Sequence, residues 1–391
     1  MSQVISEVAR RHLTWALVDG VGPLTFTHLL NRFGDAERAW GATAGQLADV
    51  QRIGVKRADS IARARESVEV ECEIETAAAD GVRIICREDS DYPPGLRQIP
   101  DAPIVLYVKG EYRDTDAIAV AIVGSRRCTI YGSEQARRFG ELLAGVGMTV
   151  VSGLARGIDS FAHHGAVDAG GRAVAVLGSG LTSIYPPENQ ALAAKVLEHG
   201  AWISELPMQA SVRRENFPSR NRIIAGMTLG TLVVEAAERS GALITARLAS
   251  EYNREVFAIP GRLQEPMSMG TNALIRSGAA KLVTGLDDLL EELGDVGYQL
   301  QLRRSEGGGG VLTAEAARPA APAARSSGPA QLSAAERRVL EVVPPDPVLQ
   351  DVVMRAAELP PGEVLAALTM LELKGLIKRL PGSLVARHAR V

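Results

Sequence analysis

Only three cysteines, Cys72, Cys86 and Cys128, occur in the 391 residues. The number is odd and no two form a CxxC pair, which argues against a disulfide framework or a zinc site and fits a reducing cytoplasm. No apolar run reaches membrane-spanning length, and residues 1–11 lack the oily core of a secretory signal, so neither a membrane nor export is expected. Positive charge is not in excess: 43 Lys and Arg against 46 Asp and Glu leave a formal net charge of −3. A polyanion would therefore meet a local patch, and the placement of arginine matters more than its total. The run Gly-x-x-x-x-Gly-Lys-Ser/Thr is missing, which leaves P-loop nucleotide hydrolysis unsupported, and Gly-x-Gly-x-x-Gly is missing from the first strand–helix turn. No acids or histidines have metal-ligand spacing, and no acid–base or nucleophile–base set stands out. Catalytic residues, metal and cofactor are accordingly expected to be none. His163 and His164 are neighbours on a helix and point to different faces, one packed and one exposed.

What the chain does have is alternation. Strands are expected at 117–123, 148–152, 173–177, 201–204, 231–235 and 255–259, with a short one near 281–283. Helices are expected near 131–145, 158–169, 188–199, 219–228 and 241–252. The pattern is that of an α/β fold, a Rossmann-like doubly wound, mostly parallel sheet with helices on both faces. Residues 82–86 and 104–108 add an earlier pair, placed at the sheet edge. Residues 1–72 read as a small all-α domain, SAM or helix-hairpin-helix-like, with glycine turns at 18–23 and 53–56; DNA contact and a packing or protein-interaction role both remain open. The central domain spans 73–300. The stretch 301–330, with four glycines at 307–310 and an Ala/Pro/Ser/Arg-rich run, cannot bury apolar surface and is expected to be a flexible linker. Residues 331–391 read as helices at 332–343, 348–357 and 361–374, then strands at 376–380 and 383–387 about a Pro381-Gly382 turn: a winged helix. Lys374, Lys378, Arg379, Arg387 and Arg390 make a basic wing, which suggests DNA. The third helix offers Glu363, Leu365, Leu368, Thr369 and Glu372, with no arginine or asparagine to read a base edge.

Four polar turns adjoin the strands: Gly124-Ser125-Arg126-Arg127, Ser152-Gly153-Leu154-Ala155-Arg156-Gly157, Gly178-Ser179-Gly180, and Phe217-Pro218-Ser219-Arg220-Asn221-Arg222. Open parallel sheets bind ligands outside the carboxyl ends of their strands. A turn that opens a helix there offers free N–H groups and a positive dipole end. Three glycine turns and several arginines are expected to converge on one crevice and to hold more than one phosphate. Arg213, Arg214, Arg220 and Arg222 stand against a single acid, Glu215, with Phe217 among them, a mixture suited to single strands. Phe217 and Tyr185 read equally as stacking faces or as loop anchors. Asp159 is expected to cap its own helix.

Ala121-Ile122-Val123-Gly124-Ser125-Arg126, the segment 152–159 with Ala162-His163, Tyr185-Pro186 with Asn189, and 217–226 resemble the DNA-processing protein A (DprA/Smf) family. So do 240–246, 257–261, Gly270-Thr271-Asn272 and Leu274-Ile275, and the similarity runs from about Tyr92 to Leu290. The resemblance implies a cytoplasmic protein without established enzymatic activity. It would bind incoming single-stranded DNA regardless of sequence during natural transformation, protect that strand, displace single-strand-binding protein and load the RecA recombinase. A homodimer through the central domain is implied too. Carried over residue by residue, the DNA-contacting arginines fall on Arg126, Arg220 and Arg222. The full candidate interface is Gly124, Ser125, Arg126, Arg127, Gly153, Leu154, Ala155, Arg156, Gly178, Gly180, Tyr185, Asn189, Arg214, Phe217, Arg220, Asn221, Arg222, Ser240 and Gly241. Many relatives carry a DNA-contacting lysine after the Tyr-Pro pair, where this chain has Pro187 and Glu188. Either Arg214 or Lys195 covers that phosphate, or the strand path differs. Two other readings stand beside this one. A nucleotide phosphoribohydrolase-like enzyme would use the strand ending Val233-Val234-Glu235, although only Gly230-Thr231 remains of its Pro-Gly-Gly-x-Gly-Thr run. A transcription regulator would read a promoter with the winged helix.

Overall fold

The computed structural model describes residues 5–305, 333–344, 348–357, 359–360, 363–364, 367–368, 370–371, 376–380 and 384–387. Two compact units divide the chain between Pro319 and Ala320.

Six helices open the first unit: α1 Glu7–Ala16, α2 Pro23–Phe33, α3 Ala36–Trp40, α4 Ala44–Ala48, α5 Val55–Ala64 and α6 Val70–Ala79. Side-chain oxygens of Ser6, Asp35 and Thr43 accept backbone N–H groups at the starts of α1, α3 and α4, satisfying donors that a helix end leaves free. The two glycine turns open α2 and α5, and Arg57 of α5 donates to Gly20 O and Thr25 Oγ, tying the turns together. Leu13, Trp15, Leu29, Leu47 and Ile61 are fully buried in a core that these helices share with one face of the sheet.

That sheet has nine strands: β1 Val82–Cys86, β2 Val105–Gly110, β3 Ala119–Val123, β4 Thr149–Ser152, β5 Ala173–Val176, β6 Gly200–Ser204, β7 Gly230–Val233, β8 Glu255–Ala258 and β9 Lys281–Leu282. Their order is β1-β2-β6-β5-β4-β3-β7-β8-β9. From β6 across to β9 every pairing is parallel, while β2 runs antiparallel to β6 and to β1 at the edge. Between the strands lie α7 Ile130–Gly145, α8 Ile158–Asp168, α9 Gln190–His199, α10 Asn216–Gly226, α11 Gly241–Glu251 and α12 Met269–Arg276, with α13 Leu286–Glu292 and α14 Gly294–Ser305 after β9. Every strand expected in this sheet is present, with ends that fall within two residues of the expected bounds. Helix α14 runs to Ser305, so the first five residues expected to begin a linker are helical; 306–330 lie outside the described residues.

Alternation along β3 shows why a sheet forms here. Val120 and Ile122 face a core built with α7, α8 and α9, whereas Ala119, Ala121 and Val123 face one built with α10 and α11. Full burial of a Val, Leu, Ile or Phe contributes about 1.5–3 kcal/mol, so these two apolar layers dominate the stability of the unit. The chain leaves β3 for α7 on one face and leaves the neighbouring β7 for α11 on the other. A crevice opens at that switch point.

In the second unit α15 Ala334–Val342, β10 Val348–Leu349, α16 Gln350–Ala356, β11 Ile377–Leu380 and β12 Leu384–Arg387 are described. The expected two-stranded wing gains a third strand, in the order β10-β12-β11. Its core holds Val339, Val353, Leu368, Leu371, Ile377 and Val385. Arg387 donates to Leu340 O, so one cation expected on the wing serves the module's interior. Lys374, Arg390, Leu365, Thr369, Glu372 and the Pro381-Gly382 turn lie outside the described residues.

Candidate nucleic-acid interface

The crevice between β3 and β7 is a cavity of about 420 Å³. Arg126, two residues past a glycine at the end of β3, is exposed and places Cζ 4.6 Å from the centre of the Phe217 ring. Phe217 sits in the first turn of α10 and is half-buried; Arg220, one turn on, approaches the same ring to 6.0 Å. Tyr185 stands beside it, ring centres 6.1 Å apart and planes tilted by 48°. A guanidinium group near an aromatic face contributes about 0.5–2 kcal/mol per contact. Two glycines make room for this cluster. A Cβ at Gly153 would lie 1.2 Å from Arg220 Nη1, and one at Gly178 would lie 3.2 Å from the Phe217 ring.

Arg220 is only 4% exposed. Its Nη1 donates to Val176 O at 3.2 Å and its Nε has no partner. Burial lowers its pKa to about 10; Asp159 opposes the shift and Arg126 adds to it. The group remains a cation at neutral pH, dry and aimed at the crevice. Asp159 does not cap α8 as expected. Its Oδ2 reaches back to accept Gly153 N (3.1 Å) and Ala155 N (3.4 Å), fixing the second turn. Burial pushes this carboxyl up, and the Arg220 charge and those two N–H groups pull it down.

The expectation that glycine turns present free amides to phosphate is corrected by their hydrogen bonds. Ser125 N donates to Glu235 O, Gly153 and Ala155 donate to Asp159, and Gly180 N donates to Ala210 O. Those donors are spent inside the protein. What faces the crevice is instead the positive ends of α8, α10 and α11 together with arginine side chains.

Of the expected residues, Gly124, Ser125, Arg126, Arg127, Ala155, Phe217, Arg220, Asn221, Ser240 and Gly241 line this one cavity. Gly153, Arg156 and Tyr185 line a shallow groove beside it, together with Arg126 and Phe217. Several others are placed differently. Arg222 is buried outside this cavity, paired with Glu205 and 3.8 Å from Asp101. Leu154, Gly178 and Gly180 are buried, and Asn189 spends its amide on Leu154 O and Ser160 Oγ, both at 2.8 Å. Arg214 is exposed on the loop ahead of α10, outside the lining. Lys195 pairs with Asp168 at 3.3 Å, at the far end of α8. Glu188, in that lysine's neighbourhood, is neutralised by Arg156.

Ile224, Ala237, Ile244, Thr245 and Met267 line the cavity without having been singled out as site residues. Ile244 and Thr245 belong to the 240–246 motif and were within reach of it. Met267, whose sulfur lies 3.4 Å from Ser125 Oγ, arrives from a distant loop and carries no local signal. Among the described residues, no helix is long and apolar enough to cross a membrane.

A family model described as DNA recombination-mediator protein A matches residues 83–294, and a DprA winged helix model matches 318–383. The Smf protein of Synechocystis is 35% identical over 384 residues, covering 95% of this chain and 96% of its own. The Escherichia coli Smf protein is 47% identical over 211 residues, 54% of this chain and 56% of its own length. The crystal structure of DNA processing protein A from Streptococcus pneumoniae shares the fold with a TM-score of 0.62 at 31% identity, over 72% of this chain and 97% of that one.

Proposed function

The chain belongs to the DNA recombination-mediator protein A family, and from that premise we propose that it binds single-stranded DNA, without sequence preference, in the β3/β7 crevice. The observation that carries this reading is the Arg126–Phe217–Arg220 stack. Cations supply phosphate attraction, and an aromatic ring supplies a face on which any unpaired base can stack. A duplex hides its base faces and gains nothing from the ring. The wider role we propose is the one the family resemblance implies: shielding an incoming strand, displacing single-strand-binding protein and loading the RecA recombinase, as a homodimer. The crevice acts as a binding surface and not a catalytic one. Glu235, the carboxylate a phosphoribohydrolase would need, accepts both Thr129 N and Thr129 Oγ at the start of α7 and lines a separate cavity of about 630 Å³.

Fluorescence anisotropy with matched single- and double-stranded oligonucleotides across a salt series tests the proposal. Single strands should bind tighter, with a log–log salt slope of about −0.7 for each phosphate neutralised. Arg126→Ala should weaken single-strand affinity about tenfold, the ~1.4 kcal/mol of one charge-assisted contact. Unchanged affinity would remove Arg126 from the site. The recombinase role is tested separately by strand exchange on strands coated with single-strand-binding protein, where an unshortened lag would sink that part alone.

A further inference from the structure

We propose that His12, Cys86 and Glu88 form a binding site for a divalent first-row transition ion, zinc foremost, that fastens the N-terminal helices to the edge of the sheet. His12 lies on α1, Cys86 ends β1, and Glu88 follows in the next turn. One ligating atom from each, an imidazole nitrogen, Sγ and a carboxylate oxygen, lies within 4.8 Å of the other two. Atoms that close can meet one ion at bond lengths of about 2.0–2.3 Å with little movement.

A second observation points the same way. His12 is 6% exposed and its Nδ1 has no hydrogen-bond partner, although Glu88 Oε2 is only 3.3 Å from it. An unpartnered buried nitrogen is costly, and a metal ion is one way of satisfying it. The ring is held edge-on against Phe26, centres 4.9 Å apart at 75°, so its direction is set by packing. The neighbouring Asp89 accepts Cys86 N at 2.8 Å and adds negative charge next to the site. Imidazole, thiolate and carboxylate together suit zinc or cobalt, whereas magnesium and calcium prefer oxygen alone. Three protein donors leave a fourth position for water. Binding replaces the Cys86 thiol proton, which passes to the buffer as the sulfur–metal bond forms.

Chelator-treated full-length protein titrated with Co²⁺ tests the site. Expected are one ion per chain, a near-ultraviolet thiolate-to-cobalt charge-transfer band and the visible bands of a four-coordinate ion, with Zn²⁺ competing and raising the melting temperature. Cys86→Ser should abolish the charge-transfer band, and the Cys72→Ser/Cys128→Ser double variant should keep it. Glu88 has a half-exposed side chain, so Glu88→Gln should fold normally and weaken Co²⁺ binding roughly tenfold or more. No band at saturating Co²⁺, a band that survives Cys86→Ser, or unchanged affinity in Glu88→Gln would each overturn the proposal and leave the trio as a hydrogen-bonded cluster.

Discussion

Three arginines of similar sequence context have three fates. Arg126 is exposed beside a ring, Arg220 is buried beside the same ring, and Arg222 is locked between Glu205 and Asp101. Substitution should separate them. Arg222→Met strands buried Glu205 without its cation and should cost about 3 kcal/mol of stability, with single-strand affinity of the folded protein unchanged. Arg126→Ala should do the reverse, since it removes an exposed side chain. Urea melts and anisotropy on the same samples decide the matter; a loss of affinity in stable Arg222→Met would return that residue to the interface. Gly153→Ala falls between the two. Its new methyl group would collide with Arg220 Nη1, lifting the guanidinium off Val176 O, so both stability and affinity should drop. The exposed place of Arg126 at a strand end was legible in the sequence, because it follows an apolar run and a glycine. Arg222 was not, because Glu205 and Asp101 reach it from two other loops.

At the level of elements, period-two alternation in β3 and the runs of β4, β5 and β7 named the sheet, and the strand–helix rhythm named its winding. Neither says which hydrogen bonds a turn keeps for itself, and so the amides of the glycine turns were misjudged. Helix α8 shows what burial adds. His163, fully buried on it, has neither ring nitrogen partnered, and burial lowers its pKa from 6.5 to about 3. A histidine depressed on folding favours the native state above pH 6.5, and that contribution is lost as pH falls toward 3. Each unit of that window carries up to about 1.4 kcal/mol. The stability difference between wild type and His163→Met should therefore change steadily between pH 6.5 and 4 in favour of the variant. Parallel stability curves would show that His163 does not titrate on unfolding.

For the whole molecule the formal charge of −3 is compatible with the proposed polyanion site, because Arg126, Arg127 and Arg220 line one crevice of one sheet. That sheet belongs to a unit with its own two-layered core, and the C-terminal module buries a separate one. The first two helices and the hairpin strands of the module were readable from residue types, but its third strand was not, since two residues at 348–349 are too few to show alternation. Separate cores allow a sharp test of where the strand binds. A chain ending at Pro319 should fold, keep single-strand affinity within about a factor of three, ~0.6 kcal/mol, and keep the same salt slope. Were the winged helix the principal DNA contact, as in a promoter-reading regulator, the truncated chain would lose binding altogether. Arg126→Ala placed in the truncated chain sharpens the comparison. If the crevice carries the interaction, the substitution should cost the same tenfold with or without the C-terminal unit, because sites that share no partners add independently.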